Sequence, residues 1–248
     1  MIYKTSGIVI KSAQYTEADK IVTLLSKNNG IMTFIFKGVL KSKSKKLNTA
    51  DIGSVIAFSF YKKNADAPSY AQDVKLINAF SDIKADYTKY LYLTYIVELF
   101  NVLSHESDTI LLYNFLYNIL LFLDKNKVRD ILLRYVEFKL IQFNGIMPDI
   151  NVCSVCGEKI NFFYYVLDKS HIFCDKCANS ISNSLYVTID AVKVIRSLFR
   201  SNLKTLYTIE YEKQTNNIIR DFFHNIIVGY INKELKSYSI VNKLIADE

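Results

Sequence analysis

Residues 71–103 read AQDVKLINAFSDIKADYTKYLYLTYIVELFNVL, and the spacing of the apolar side chains changes inside this stretch. Before Phe80 they alternate or come in short runs, as on a pleated strand. After it they recur three and four apart over at least four turns, as on one face of a helix. Upstream of the change, Thr5–Lys11, Ile21–Ser26, Ile31–Lys37, Ser54–Tyr61 and Ala71–Ile77 read as five strands. They are parted by Asn28-Asn29-Gly30, by the loop Lys41–Lys46 and by Asn64–Ser69 with its Pro68. Five short strands within about 80 residues predict a small closed barrel, because closure removes the exposed edges. Downstream, Asp82–Leu103, Asp108–Leu123, Val128–Phe143, Thr188–Ser201 and Thr215–Leu235 read as helices, with a cysteine-bearing insert between the third and the fourth.

Half of the 248 residues are apolar, enough for a substantial core, so disorder of the whole chain is excluded. Two prolines and seven glycines exclude collagen-like and low-complexity classes. The net charge of +7 is unevenly placed: residues 1–80 hold 12 Lys against 5 acidic residues, while residues 81–248 hold 19 of each sign. A basic segment attached to a neutral one points to a polyanionic partner. Met1–Ile10 has no sustained apolar run of a secretory signal, and Thr109–Leu123, at 15 uncharged residues, falls short of the ~20 that span a bilayer. The expectation is a cytoplasmic chain with no membrane partner, where paired cysteines indicate a metal rather than disulfides.

Those cysteines are Cys153-Ser-Val-Cys156 and Cys174-Asp-Lys-Cys177, separated by 17 residues. Each C-x-x-C turn directs two thiolates at one point, Gly157 permits the tight backbone of the first, and two such knuckles close a tetrahedral sulfur shell. That donor set favours Zn2+ or a one-iron centre. With no position left for water, it favours a structural role over a catalytic one. Lys159 and Lys176 are placed to offset its charge, and His171 reads as a neighbour rather than a ligand.

Lys41-Ser-Lys-Ser-Lys-Lys46, with Lys37 just before it, sets ammonium and hydroxyl groups where phosphate oxygens would be met without reading bases. Lys11, Lys62 and Lys63 extend the patch if the strands bring them to the same side. Phe34, Phe36, Phe58, Phe60 and Tyr61 lie on neighbouring strands, where any that face outward would offer stacking platforms, but alternation sends the four phenylalanines mostly into the core. No G-x-G-x-x-G, G-K-[ST] or G-x-S-x-G occurs, and His105, His171 and His224 lie in no catalytic context. Glu17 and Asp19 read as a charged loop. The chain is read as non-enzymatic.

Gly7-Ile-Val-Ile10, Tyr15-x-Glu17-x-Asp19-x-Ile21-Val22-x-Leu24-Leu25, Gly30 and Lys37-Gly38 with its basic loop are similar to the N-terminal barrel of the bacterial RecO family of DNA repair and recombination mediators. Asp82–Leu123 with Glu98 resembles that family's first helical hairpin. Arg134-Tyr-Val-Glu137-Phe-Lys-Leu, Gly145-x-x-Pro148 and Cys153-x-x-Cys156-Gly157 resemble the approach to its zinc module. One departure is Asn48-Thr-Ala-Asp51, where an apolar-aromatic step is more usual. The resemblance implies an α+β multidomain protein: a five-stranded OB-type barrel at 1–80, a helical domain at 81–147 and 183–248, and an inserted C4 zinc finger at 148–182.

It further implies binding of single- and double-stranded DNA, annealing of complementary strands, and help in loading recombinase at the nucleoid. RecR and the acidic C-terminal tail of single-strand-binding protein are the implied protein partners. One structural Zn2+ per chain falls on Cys153, Cys156, Cys174 and Cys177, and DNA contacts fall on Lys37, Lys41, Lys43, Lys45 and Lys46. Arg129, Arg134 and Lys139 are spaced along one helix pattern as cations for the tail, with a structural role as the alternative for Arg134. Two rival readings are a zinc-ribbon protein–protein adaptor that binds no DNA and a zinc hydrolase or deaminase.

Overall fold

The computed structural model describes residues 2–41, 47–61, 69–104, 108–166, 170–179, 181 and 183–247. The chain divides into two compact units, Met1–Val128 with Lys236–Glu248, and Arg129–Leu235.

In the first unit β1 (Ile2–Gln14), β2 (Lys20–Ser26), β3 (Gly30–Phe36), β4 (Val55–Tyr61), β5 (Ser69–Tyr70) and β6 (Gln72–Asn78) form one sheet in the order β5-β3-β2-β1-β4-β6. The five expected strands are all there, and the two-residue β5 is added to them. β1 serves both halves of the sheet: Gly7–Gln14 pairs antiparallel with β2, and Ile2–Ile8 pairs antiparallel with β4. One stretch of chain bridges the two flanks. Ser69 and Tyr70 run parallel to β3 at Phe34 and Ile35, and after Ala71 the same stretch pairs antiparallel with β4. Consecutive residues cannot lie far apart, so the sheet must curl on itself in the OB-like manner.

Inside the curl lie Val9, Val22, Leu24, Phe34, Phe36, Ile56, Phe58 and Phe60, the last in ring contact with Phe34 at 5.2 Å. The alternation read from the sequence therefore holds for all four phenylalanines. Ile10 sits at a shift of register between Val9 and Lys11. Ile8 and Ile10 face away from the barrel interior yet are also buried, because α2 (Tyr87–Leu103) and α3 (Thr109–Lys125) pack on that side of β1. At the unusual Asn48-Thr-Ala-Asp51 the chain makes a short 3-10 turn that buries Thr49 and Ala50, and Ser54 Oγ donates to Asn48 O at 2.8 Å.

The helix expected at Asp82–Leu103 is broken in two, α1 (Ser81–Ala85) and α2. Asp86 leaves the helical conformation (φ −107°, ψ 120°), and its carboxylate accepts from Lys89 N at 3.0 Å. A short carboxylate inside a helical pattern competes for backbone donors, and here it caps the second helix instead of continuing the first. α3 buries Leu112, Leu116, Ile119 and Leu120, which accounts for its long uncharged run. No helix among the described residues is long and apolar enough to cross a membrane. A last helix, Tyr238–Asp247, had no counterpart in the sequence reading. Its start is held by Glu98 of α2, whose carboxylate accepts from Lys236 N at 2.9 Å, from Ser237 N at 2.8 Å and from Ser237 Oγ. A negative group on unpaired amides suits the positive end of a helix.

The second unit contains α4 (Ile131–Phe143), β7 (Phe163–Val166), β8 (His171–Phe173), α5 (Asp175–Ala178), β9 (Ser184–Val187), α6 (Ile189–Arg200) and α7 (Lys213–Ile231). α4 is buried along most of its length and packs on α7, which also packs on α6. β7 is the middle strand of a three-stranded sheet, β8-β7-β9. Phe163 and Tyr165 on β7 meet Phe222 of α7 at 5.2 and 5.1 Å, fastening that sheet to the helices. α7 stops at Ile231 rather than Leu235, because Asn232 turns left-handed (φ 51°) and its N–H bonds back to Val228 O.

Candidate metal centre and nucleic-acid interface

The first cysteine knuckle is a closed turn: Gly157 N donates to Cys153 O at 2.9 Å, and Cys153 N to Glu158 O at 2.9 Å. Gly157 has φ +72°, a conformation that a Cβ would strain. Ser154 joins this turn to β8, donating its N–H to Ile172 O at 2.8 Å and accepting from Ile172 N on Oγ at 3.1 Å. The second knuckle begins at Cys174, directly after β8, and continues into α5. The sheet thus brings the two knuckles face to face.

All four Sγ atoms lie within 4.8 Å of one another, and Cys156 and Cys174 are 3.8 Å apart. A disulfide needs about 2.05 Å. A tetrahedron with metal–sulfur bonds of about 2.3 Å has edges of about 3.8 Å, so the four cysteines can hold a metal ion. Burial pushes the Cys153 thiol up, but N–H groups of Cys156, Cys174 and Val155 aimed at its sulfur outweigh this and bring it down to about 6. Cys177, hydrogen-bonded to Cys174 and crowded by the other thiols, is pushed up to about 12. Four thiols this close cannot all ionise by themselves, and a divalent cation is the partner that such a donor set suits. His171 is exposed beside Phe173 and stands apart from the sulfur group. Lys176 pairs with Glu158 at 3.6 Å on the surface.

On the barrel, Lys11, Thr23 and Thr33 are cross-strand partners, and the two hydroxyls are 3.1 Å apart on the outer surface. Lys37 follows the last residue of β3, and its ammonium lies over the exposed ring of Tyr70 on the barrel surface. Past Lys37 the chain turns through Gly38 (φ +68°), whose N–H donates to Asp19 Oδ1 at 2.8 Å. Lys41 N then closes the turn on Gly38 O at 3.4 Å. Asp19 is therefore a clamp for this turn, in keeping with the charged-loop reading. Lys37 and Lys41 are both exposed. Lys43, Lys45, Lys46, Lys62 and Lys63 lie outside the described residues.

Two further lysines, Lys20 and Lys84, are engaged by Asp51 at 3.8 and 3.7 Å. Burial lowers the Lys84 pKa despite that partner. Among the exposed aromatics that the sequence reading did not pick out is Tyr70 of β5, with the Lys37 ammonium 4.1 Å from its ring centroid. Two residues are too few for alternation to register.

The three cations of α4 and its approach fare differently from one another. Arg134 is 1% exposed and binds Glu137 Oε1 at 2.9 Å, which places it in the core and favours the structural alternative. Arg129 donates to the carbonyls of Tyr207 and Ile209 and lies against the Tyr207 ring. Lys139 is half-buried above the rings of Phe138 and Tyr135, donates to Gln142 Oε1 at 3.2 Å, and has its pKa lowered by burial. His224 faces Glu234 at 3.4 Å, and burial holds its pKa below the ordinary value. His105 lies outside the described residues.

The family model "Recombination protein O N terminal" matches residues 1–80, and "Recombination protein O C terminal" matches residues 84–239. The chain belongs to the RecO family. Three RecO relatives, each named DNA repair protein RecO, match over nearly full length. That of Halalkalibacterium halodurans is 24% identical, with 98% of this chain and 96% of the relative covered. That of Desulforamulus reducens is 28% identical (98% and 95%), and one from Listeria monocytogenes is 26% identical (97% and 94%).

Proposed function

We propose that this protein is a non-enzymatic recombination mediator that binds single- and double-stranded DNA, anneals complementary strands and helps load recombinase during recombinational repair. One observation carries the reading: the whole net charge of +7 falls within residues 1–80, the segment that matches the N-terminal RecO family model and folds as the OB-like barrel. Lys11, Lys37 and Lys41 contact backbone phosphate together with Lys43, Lys45, Lys46, Lys62 and Lys63. Cys153, Cys156, Cys174 and Cys177 hold one Zn2+, which supplies folding free energy and offers no open position for catalysis. RecR and the acidic tail of single-strand-binding protein are partners, in the bacterial cytoplasm at the nucleoid. For the tail's carboxylates, Lys139 above its aromatic rings, with Arg129, is a better candidate than the buried Arg134.

A salt titration against labelled single-stranded DNA tests the reading. If Lys37 and the four lysines of 41–46 each neutralise about one phosphate, log affinity falls with log salt at a slope near −3.5, from about −0.7 per phosphate. Binding that is absent at low salt, or that shows no salt dependence, would return the barrel to the adaptor reading.

A further inference from the structure

The lysines of the barrel account for phosphate and leave the bases of a single strand without a partner. We propose that Tyr70 is a stacking platform for one base of single-stranded DNA and that Lys37, above its ring in the free protein, takes the adjoining phosphate. The proposal rests on the DNA-binding reading above and assigns a base contact within it. Tyr70 pairs with Ile35 of β3, which shares the parity of Thr33, so its ring stands on the outer face that carries Thr23 and Lys11, and Lys37, just past the end of β3, reaches it there. Its backbone is fixed there, because Ala71 N donates to Ile35 O at 3.2 Å as the strand crosses from β3 to β4. The ring is 40% exposed, whereas Phe34, Phe36, Phe58 and Phe60 are at most 4% exposed.

A nucleotide carries both groups that this pair can use: a π-faced base and, one sugar away, a phosphate. The ammonium lies 4.1 Å from the ring centroid on a long flexible stem, so a base can take the ring while the charge moves to the phosphate. A cation–π contact at an exposed site is weak beside base stacking plus a charge-assisted phosphate contact, so the exchange runs toward the bound strand. Lys41, across the Gly38 turn, is next in line for the following phosphate. The bases of a duplex are already stacked on each other, so this site acts on single strands alone. Tyr3, also on the barrel surface, is already stacked on Phe60 at 5.5 Å.

The test titrates the full chain with labelled oligothymidylate, with an abasic oligomer of equal length and with a duplex. Tyr70→Ala should weaken oligothymidylate binding on the order of tenfold, with the abasic and duplex affinities, the salt slope and the melting temperature unchanged. Tyr70→Phe should retain wild-type binding, and Lys37→Ala should flatten the single-strand slope by about 0.7. The inference is overturned if Tyr70→Ala binds oligothymidylate as the wild type does. It is equally overturned if that variant loses affinity for all three probes alike, since that loss would mark a structural role. If the wild-type protein binds none of the three at low salt, the DNA-binding reading falls as well, so the two failures are told apart.

Discussion

Twelve buried apolar residues, from Val9 to Val74, fill the barrel, whereas three, Val166, Phe173 and Ala178, make up the buried cluster beside the cysteine knuckles, counted among the described residues. Each fully buried Phe is worth roughly 1.5–3 kcal/mol, so the four phenylalanines of the barrel alone supply on the order of 10 kcal/mol. On the face beside the knuckles the small sheet has no comparable reserve, although Phe163 and Tyr165 on its other face are packed on Phe222. Four convergent sulfurs stand where a core would otherwise be, and a structural zinc contributes about 10–16 kcal/mol of apparent binding free energy in small modules. The barrel is closed by hydrocarbon, whereas the knuckle side of the small sheet is closed by a donor set.

The largest effect should follow from removing the donor set. Cys174→Ser, or chelation at a pH low enough to protonate thiolates, should release one Zn2+ per chain. Amide protection in β7, β8 and β9 should then fall while that of β1–β4 persists. Anaerobically prepared protein that contains no zinc would break the comparison at its root.

Phe34→Ala attacks the other side. It should lower the stability of the first unit by about 3–5 kcal/mol and weaken DNA binding through lost folding, with zinc content unchanged. A melt of the variant with a parallel metal assay reads both. Arg134→Ala tests whether the second unit also depends on a buried ion pair. Removing the guanidinium from Glu137, which is 0% exposed, should cost roughly 3 kcal/mol, and replacing both by Met should restore most of it. Full stability of the single variant would show that Glu137 has found another partner.

The smallest effect on stability and the sharpest on function belongs to the basic loop. Replacing Lys45 and Lys46 by Ala should change stability by a few tenths of a kcal/mol at most, weaken all DNA sequences alike, and flatten the salt slope by about 1.4. A wild-type slope in that variant would make Lys45 and Lys46 bystanders and favour the adaptor reading unless the remaining barrel lysines carry phosphate binding.

Much of this was legible in the residues themselves. Strand alternation put Phe34, Phe36, Phe58 and Phe60 inside because side chains on a strand must point to opposite faces, whatever the strand pairs with. The spacing of Cys153, Cys156, Cys174 and Cys177 foretold a cluster because each C-x-x-C is a local turn that converges its own two sulfurs. The charge asymmetry is a property of composition and needs no fold.

Other features depend on partners distant in the chain. Glu98 is one acid in a helical pattern, and only the approach of residues 236–237 gives it amides to accept from. For Arg134 the sequence leaves tail binding and a structural role both open, and burial of α4 beside Glu137 favours the structural one. Tyr70 gained its lysine because β5 pairs with β3, a long-range parallel contact of two residues. Local patterns report what a side chain does to its own backbone and face. Which distant backbone or charge comes to meet it is decided when the sheet curls and the helices dock.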